Sequence, residues 1–502
     1  MMKYWNEWRW WIISLIGILI LAFFVRYINL TSLPIFADEA IYIRWAQVMR
    51  AESTLRFLPL SDGKQPLFMW LIIPFLKIIN DPLIAGRMTS VFSGLGTIVG
   101  IFIASYLLFS SKKIALISAF VYTLVPFAVF FERMALSDSL LTMFGVWVFT
   151  VGILLVKTLR LDVAMILGFA LGGALLTKSP ALYFSLLLPI LLILLKNKRE
   201  IVRYLILLIP TYIIGYGMYN ILRLGPNFHL LASRNMDYVW PLSHILTSPF
   251  DPFKPFLNRS RQFYWIMGTA GLFASFLLAY YANYKTKTKE LLILTIWFLF
   301  PILVSSEFSK TMTARYVFFS LPYFVIIASS FFLTKIKWFK FDIYILGSLF
   351  LIQSLVFHYN LISNPTNAFL PRSERSGYLE EWTAGQGIRE IAKFLNDESK
   401  NNPNTNIIVG TEGYFGTLPD GLQIYFDKNP KINVIGIGLE LDKIPASLVS
   451  AKKAGNKVYL MANNERMNTD FDKLNTKKIG EYPKETRPNG TMQSLMFYEI
   501  LK

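Results

Sequence analysis

Residues 88–111, MTSVFSGLGTIVGIFIASYLLFSS, contain no charged side chain and end against Lys112-Lys113. A helix on a soluble protein keeps charged residues along the face that meets water. This run has none, over more than the roughly 20 residues needed to cross hydrocarbon. It reads as a transmembrane helix ending at a basic boundary. Ten further charge-free runs repeat the pattern, at 10–25, 114–131, 139–156, 163–177, 179–195, 204–222, 262–284, 291–306, 316–334 and 343–359. Composition agrees, with 54% hydrophobic and only 16% charged residues, where soluble chains carry about a quarter charged. The run 163–177 is the shortest and reads equally as a re-entrant segment. The run 10–25 follows Lys3 and Arg9 with no small-residue cleavage site behind it, so it is expected to remain as a signal anchor.

Orientation follows from the basic residues of short loops. Ser111-Lys112-Lys113, Lys157-Thr158-Leu159-Arg160, Lys196-Asn197-Lys198-Arg199, Lys285-Thr286-Lys287-Thr288-Lys289 and Lys335-Ile336-Lys337 occupy alternate connections. These mark the cytoplasmic side, together with the N-terminus, of a multi-pass plasma-membrane protein. About eleven spans then put the C-terminal part outside. Residues 1–359 hold 32 Lys and Arg against 15 Asp and Glu, whereas 360–502 hold 18 against 17. The net charge of +18 therefore belongs to the flanks of membrane spans, and nucleic acid is not an expected partner.

Two domains are expected: a transmembrane module, 1–359, and an extracytoplasmic domain, 360–502. In the second, apolar runs shrink to strand length at 406–409, 433–437, 457–461 and 494–500, and helical patterns cover 387–396 and 446–453. Alternating strands and helices indicate a small α/β domain. The segment 378–387 is its expected contact with the membrane module. Two long loops also lie outside. The first, about 26–87, carries amphipathic stretches at 39–56 and 66–79 that read as interfacial helices. The second, about 223–261, holds Pro226, Pro241, Pro249, Pro252 and Pro255 and is too proline-rich for one helix.

Absence of cysteine excludes disulfides, thiolate zinc and a Cys nucleophile. Three scattered histidines, His229, His244 and His358, argue against a His-based metal site or a Ser-His triad. No cofactor is expected, and the sequence does not indicate a divalent metal.

Ten of the fifteen acids before residue 360 fall outside in this topology, Glu132 among them. Acids at a membrane boundary are costly unless paired or solvated, so their placement is informative. Ala37-Asp38-Glu39-Ala40-Ile41-Tyr42 opens the first interfacial helix. Asp38 reads either as its N-cap, with Glu39 a first-turn acid, or as a general base aimed at an acceptor hydroxyl. Asp62-Gly63-Lys64-Gln65-Pro66 opens the second. A lysine before a helix N-terminus opposes the helix dipole, but with free backbone N–H groups it suits a phosphate; a snorkelling lysine is the alternative. Glu132 to Asp138 sits between two spans, where Asp138 would pair with Arg133 or Arg87. Lys310 to Tyr316 places two cations outside, with Arg315 and Tyr316 either binding residues or interfacial anchors.

In this order the motifs resemble the GT-C membrane glycosyltransferases, in the branch of protein O-mannosyltransferases and the lipid A aminoarabinose transferase. The resemblance covers about residues 10–335. It rests on Asp38-Glu39 with Tyr42, Lys64-Gln65-Pro66-Leu67, Gly86-Arg87-Met88-Thr89-Ser90, Arg133 to Asp138, Thr177-Lys178-Ser179-Pro180, and Arg315-Tyr316 with Pro322. The family's usual Lys-Pro-Pro stands here as Lys64-Gln65-Pro66, and its Thr-Lys-Gly as Thr177-Lys178-Ser179.

The resemblance implies a GT-C-like fold and an inverting transfer of a sugar from a polyprenyl phosphate, at the outer face of the membrane. The acceptor is a protein, glycolipid or polysaccharide. Asp38, Glu39 and Asp138 are the implied catalytic residues, with Lys64, Arg87, Arg133, Lys178, Arg315, Tyr316 and Tyr42 binding substrate. An oligosaccharide transferase or ligase of the same superfamily is the alternative. A transporter or flippase fits less well, because it needs ionisable residues near the bilayer midplane.

Overall fold

The computed structural model describes residues 2–283, 285–332 and 340–501. The cluster Lys335-Ile336-Lys337 and the ends of the runs 262–284 and 316–334 lie outside them. In chain order the helices begin with α1 (Met2–Tyr27), α2 (Ala37–Ala51), α3 (Leu67–Ile78), α4 (Pro82–Phe109) and α5 (Lys112–Leu124). Next come α6 (Pro126–Glu132), α7 (Ser137–Thr158) and α8 (Leu161–Thr177). A broken helical stretch, Ser179–Leu194, leads to α9 (Lys198–Tyr219), α10 (Phe253–Ile266) and α11 (Ala270–Asn283). The last of the apolar helices are α12 (Thr288–Phe308), α13 (Leu321–Phe331) and α14 (Lys340–Ser363).

All eleven charge-free runs fall on helical segments. Six lie on helices long and apolar enough to cross a membrane, two on bent pairs and three on shorter apolar helices. The breaks have local causes. Val125 is extended ahead of Pro126, as a residue before proline prefers, and α5 and α6 meet at 59°. Pro180 and Pro189 turn much of Ser179–Leu194 into 3-10 helix, which rises further per residue than an α-helix. The run 262–284, which reads as one span, takes in the end of α10 and the whole of α11, and the two helices are set at 108°.

The chain divides into two compact units. The first comprises Met1–Asn29, Thr54–Phe68 and Arg87–Pro371; the second comprises Leu30–Ser53, Met69–Gly86 and Arg372–Lys502. Where the sequence suggests a division after residue 359, the second unit starts its C-terminal part at Arg372 and also takes in two pieces of the first long loop.

The first unit is the membrane unit. On α1, Ile13, Ile16, Ile20 and Phe24 are exposed, which suits lipid and not water. Closer to its centre, Gly96 and Gly100 let α4 approach α7: a Cβ at Gly100 would lie 2.6 Å from Val146. The same approach lets Trp147 Nε1 and Thr150 Oγ1 donate to the carbonyls of Gly96 and Gly100, at 3.1 and 3.2 Å. Small residues and cross-helix hydrogen bonds take over where the hydrophobic effect gives helices no reason to associate.

Glu132 is fully buried in this unit. Its carboxylate accepts from Arg26 Nε at 2.6 Å and Tyr122 Oη at 2.8 Å. Arg133, also fully buried, donates to the carbonyls of Val25, Arg26, Ile28 and Asn29 at 2.7–3.1 Å. These are orphan acceptors at and just beyond the C-terminal end of α1.

In the second unit, β1 (Ile35–Phe36) pairs antiparallel with β2 (Ala384–Gly385). A five-stranded sheet comprises β3 (Ile407–Thr411), β4 (Ile432–Gly436), β5 (Lys457–Asn463), β6 (Thr476–Thr486) and β7 (Met492–Ile500), in the order β4-β3-β5-β7-β6. Strands β3, β4 and β5 run parallel, with β7 and β6 added antiparallel. Helix α15 (Ile388–Asn401) places Phe394 against the stacked rings of Tyr459 and Phe497. Helix α16 (Ala446–Lys453) contributes Leu448 to a core with Val458, Leu460 and Tyr498. The small α/β domain is as expected. The contact made by 378–387 is with the start of the first long loop: Tyr378 packs on Phe36, and Ala37 N–H donates to Thr383 O at 3.0 Å.

One buried cation in this sheet gives the unit a pH dependence. Lys484 on β6 is 5% exposed and donates to Glu381 O and Gln493 Oε1. Burial holds its pKa down to about 7, although the carboxylates of Glu412, Glu381 and Glu465 oppose the shift. An unfolded lysine titrates near 10.4. Between these values the unfolded chain binds the extra proton, so stability from this group rises with pH, and below about 7 the burial penalty is fully present. Hydrogen exchange of β6 and β7 amides in the purified full-length protein should show protection increasing from pH 7 to 10 once intrinsic exchange is corrected. Lys484→Met should flatten that increase; an equal slope in both proteins contradicts it.

Candidate active site

Helices α7 and α8 form a hairpin whose turn uses Leu159 at φ 48°. The N-terminus of α7 and the C-terminus of α8 therefore lie at the same end of the pair. Asp138 occupies the first turn of α7 and Lys178 the C-cap of α8. Each sits where the helix dipole favours its charge. Their side chains meet at 2.6 Å, with Asp138 almost fully buried and Lys178 partly exposed. Asp138 thus pairs with Lys178, and not with Arg133 or Arg87 as the sequence suggested. Arg133 is nearer in sequence, but its guanidinium serves the end of α1.

Lys178 also reaches Tyr316, its Nζ 5.6 Å from the ring centre, and Arg315 Cζ lies 5.6 Å from the same ring. One aromatic ring is shared by two cations from opposite halves of the membrane unit. Such cation–π contacts hold guanidinium and ammonium groups without neutralising them.

The third cation approaches through the neighbouring turn. Gln65 Nε2 donates to Ser179 Oγ at 2.9 Å, which ties the Lys64 turn to the residue following Lys178. The two positions where this chain departs from the family's usual residues, Gln65 and Ser179, are bonded to each other. Lys64 Nζ pairs with Asp62 at 3.1 Å, and Asp62 also faces Arg234 at 3.4 Å. Gly63 has φ +61°, and a Cβ there would lie 2.3 Å from Arg234 Cβ, so glycine is required both for the turn and for that approach. Arg234 is absent from the sequence-derived set. It lies on the short helix Leu230–Tyr238 inside the proline-rich loop, and no spacing links it to an aspartate 172 positions earlier.

Among the remaining expected residues, Arg87 on α4 is fully buried. In the second unit, Asp38 and Glu39 occupy the first turn of α2. Phe36, not Asp38, is the N-cap residue, and Glu39 supplies the cap: its fully buried carboxylate accepts from Phe36 N–H at 3.0 Å. That leaves Asp38 as the half-buried acid of the turn. Tyr42 is buried and lies 6.2 Å from Trp45, ring to ring. Among the described residues, no group of three or more His, Cys, Asp or Glu is placed to hold a metal ion.

A membrane unit with cations gathered at one end of a helical hairpin can bind an anionic group next to a bilayer. Its fold is that of the GT-C membrane glycosyltransferases. ArnT from Cupriavidus metallidurans bound to undecaprenyl phosphate aligns with a TM-score of 0.56 at 15% identity, over 97% of this chain and 98% of that one. The same protein in its apo state gives 0.57 at 14% identity, over 97% of each chain. The archaeal oligosaccharyltransferase AglB from Archaeoglobus fulgidus, in complex with an inhibitory peptide and a dolichol-phosphate, gives 0.50 at 10% identity, over 98% of this chain and 74% of that one. Residues 63–216, which include Lys64, Arg87, Asp138 and Lys178, match the dolichyl-phosphate-mannose-protein mannosyltransferase family. No curated protein matches the chain by sequence. The likeness over the whole chain is one of fold, the family match is confined to residues 63–216, and the apolar helices mark a multi-pass membrane protein.

The bond between Gln65 and Ser179 can be tested without any assumption about substrate. A double-mutant cycle with Gln65→Ala and Ser179→Ala, read as unfolding free energy in detergent, should give a coupling of about 0.5–1.5 kcal/mol, the net worth of one hydrogen bond. Additive effects would mean that the two turns are held together by other contacts.

Proposed function

We propose that this protein is an inverting glycosyltransferase that moves a sugar from a polyprenyl phosphate to an acceptor hydroxyl at the outer face of the plasma membrane. The observation that carries this reading is the gathering of Lys178 and Arg315 on Tyr316, joined through Gln65 and Ser179 to the Lys64 turn. The polyprenyl phosphates named in the ArnT and AglB structures support the same donor chemistry here. The basic loop clusters support a cytoplasmic N-terminus and an extracytoplasmic C-terminal domain.

In this mechanism the bond between the anomeric carbon and the phosphate oxygen breaks as the acceptor oxygen attacks from the opposite face. Charge grows on the departing phosphate, and fixed cations stabilise it more in the transition state than in the ground state. Lys64, Lys178 and Arg315 fill that role. Asp38 takes the acceptor proton as general base. Glu39, held by the helix cap, keeps the first turn of α2 rigid under it. Asp138 holds Lys178 in place through their 2.6 Å ion pair. Arg87, buried on α4, completes the proposed substrate-binding set, whereas Arg133 holds the end of α1. The oligosaccharyltransferase alternative draws on the AglB likeness; chelator-sensitive transfer would favour it.

Kinetics with a purified polyprenyl-phosphate sugar in nanodiscs tests the assignments. Asp38→Asn should retain donor binding and lose transfer by about 100-fold or more. Lys64→Ala should weaken apparent donor affinity roughly 10–100-fold, as expected for one lost charge-assisted contact, and also lower the maximal rate. Near-normal turnover in Asp38→Asn removes it as the base. An unchanged donor response in both Lys64→Ala and Arg315→Ala moves the phosphate site elsewhere.

A further inference from the structure

The membrane unit holds a second cationic and apolar feature, away from the Lys178 cluster in the chain. Helix α10 meets α11 at 108°. If α11 runs through hydrocarbon, α10 lies along the membrane surface. The corner borders an open cleft of about 450 Å³, within the range of small-molecule sites of roughly 300–1,000 Å³. Its deep walls are aromatic: Tyr264 from α10, Phe273 and Phe276 from α11, and Phe298 from α12.

The rim of the cavity is basic. Lys254, Asn258 and Arg261 line it from α10, at positions i, i+4 and i+7 on one helix face. Arg261 bonds Asn258 Oδ1 at 2.8 Å, and Lys254 lies over the Phe250 ring. No acidic residue is among the lining residues. Neither cation has a carboxylate partner among the described residues, whereas Arg259 of the same helix donates to Met312 O. Two exposed cations without carboxylate partners, on the rim of an aromatic cavity, match one kind of ligand in shape and charge.

We infer that this corner binds an anionic membrane phospholipid. Lys254 and Arg261 hold its phosphate, and the cavity between α10, α11 and α12 takes part of an acyl chain. The site would brace a helix corner that has no continuous backbone hydrogen bonding through residues 267–269. It does not depend on the sugar-transfer reading, because it uses none of those residues.

Native mass spectrometry of the full-length protein, released from detergent and titrated with phosphatidylglycerol or phosphatidylcholine of equal chain length, tests it. The wild type should prefer phosphatidylglycerol by roughly tenfold, because the choline cation of phosphatidylcholine offsets the phosphate charge that Lys254 and Arg261 would meet. Lys254→Gln with Arg261→Gln should abolish the preference. Ile302→Trp, which fills the cavity, should displace both lipids while far-ultraviolet circular dichroism stays unchanged. Equal lipid retention by wild type and the double variant overturns the inference. So does displacement by Ile302→Trp of undecaprenyl phosphate but not of phosphatidylglycerol, which would make the cavity part of the donor site. Binding of inorganic phosphate alone with equal affinity overturns it too, because the cavity would then contribute nothing.

Discussion

Inside the membrane unit a charge without a partner is untenable, and that constraint explains most of where its ionisable residues lie. Arg26 and Glu132 are both fully buried and meet at 2.6 Å. Removing one partner of such a pair typically costs about 3–5 kcal/mol, because the other charge is left stranded. Arg133 answers the complementary problem, since the carbonyls at and just beyond the end of α1 have no helical donors. Four of them converge on one guanidinium. Asp138 and Lys178 obey the same rule at the end of the α7–α8 hairpin, but with a difference that matters for function. Asp138 is buried and Lys178 retains some exposure, so the pair is anchored on one side and open on the other.

The membrane architecture was legible because its signal is coarse. A run of twenty uncharged residues can be read without knowing what it packs against, and all eleven runs correspond to helices. What could not be read was how those runs bend. Nothing in the composition of 262–284 announces a 108° corner, because its residues are apolar on both sides of it. The second unit shows the reverse pattern. Strands β3, β4, β5 and β7 have buried, apolar residues and were visible, whereas β6, with Lys477, Lys478, Glu481 and Pro483, looks like a loop. It lies at the sheet edge, where charged residues and proline protect against further pairing.

For the candidate site, residue types and order were legible, and partners were not. Lys178 and the pair Arg315-Tyr316 were singled out from separate motifs, and the structure brings both cations to the Tyr316 ring. Asp138 was recognised as an acid that needed a cation, yet the nearest arginine in sequence was the wrong choice. Folding a hairpin brings residues 138 and 178 together, while Arg133 turns back towards α1. Arg234 left no sequence trace, because its role depends on a glycine turn and an aspartate far away in the chain. Gln65 and Ser179 looked like two unrelated departures from a family pattern. Their hydrogen bond makes them a single feature.

The proposed work of these cations is sugar transfer from a lipid phosphate. Mass spectrometry of membrane lipids and surface glycans, from cells with and without the protein, tests that role. Loss of the protein should cause one sugar-charged polyprenyl phosphate to accumulate and one glycan or glycolipid decoration to disappear, both restored by the wild-type chain. Identical lipid and glycan profiles in the two cell lines would contradict the account.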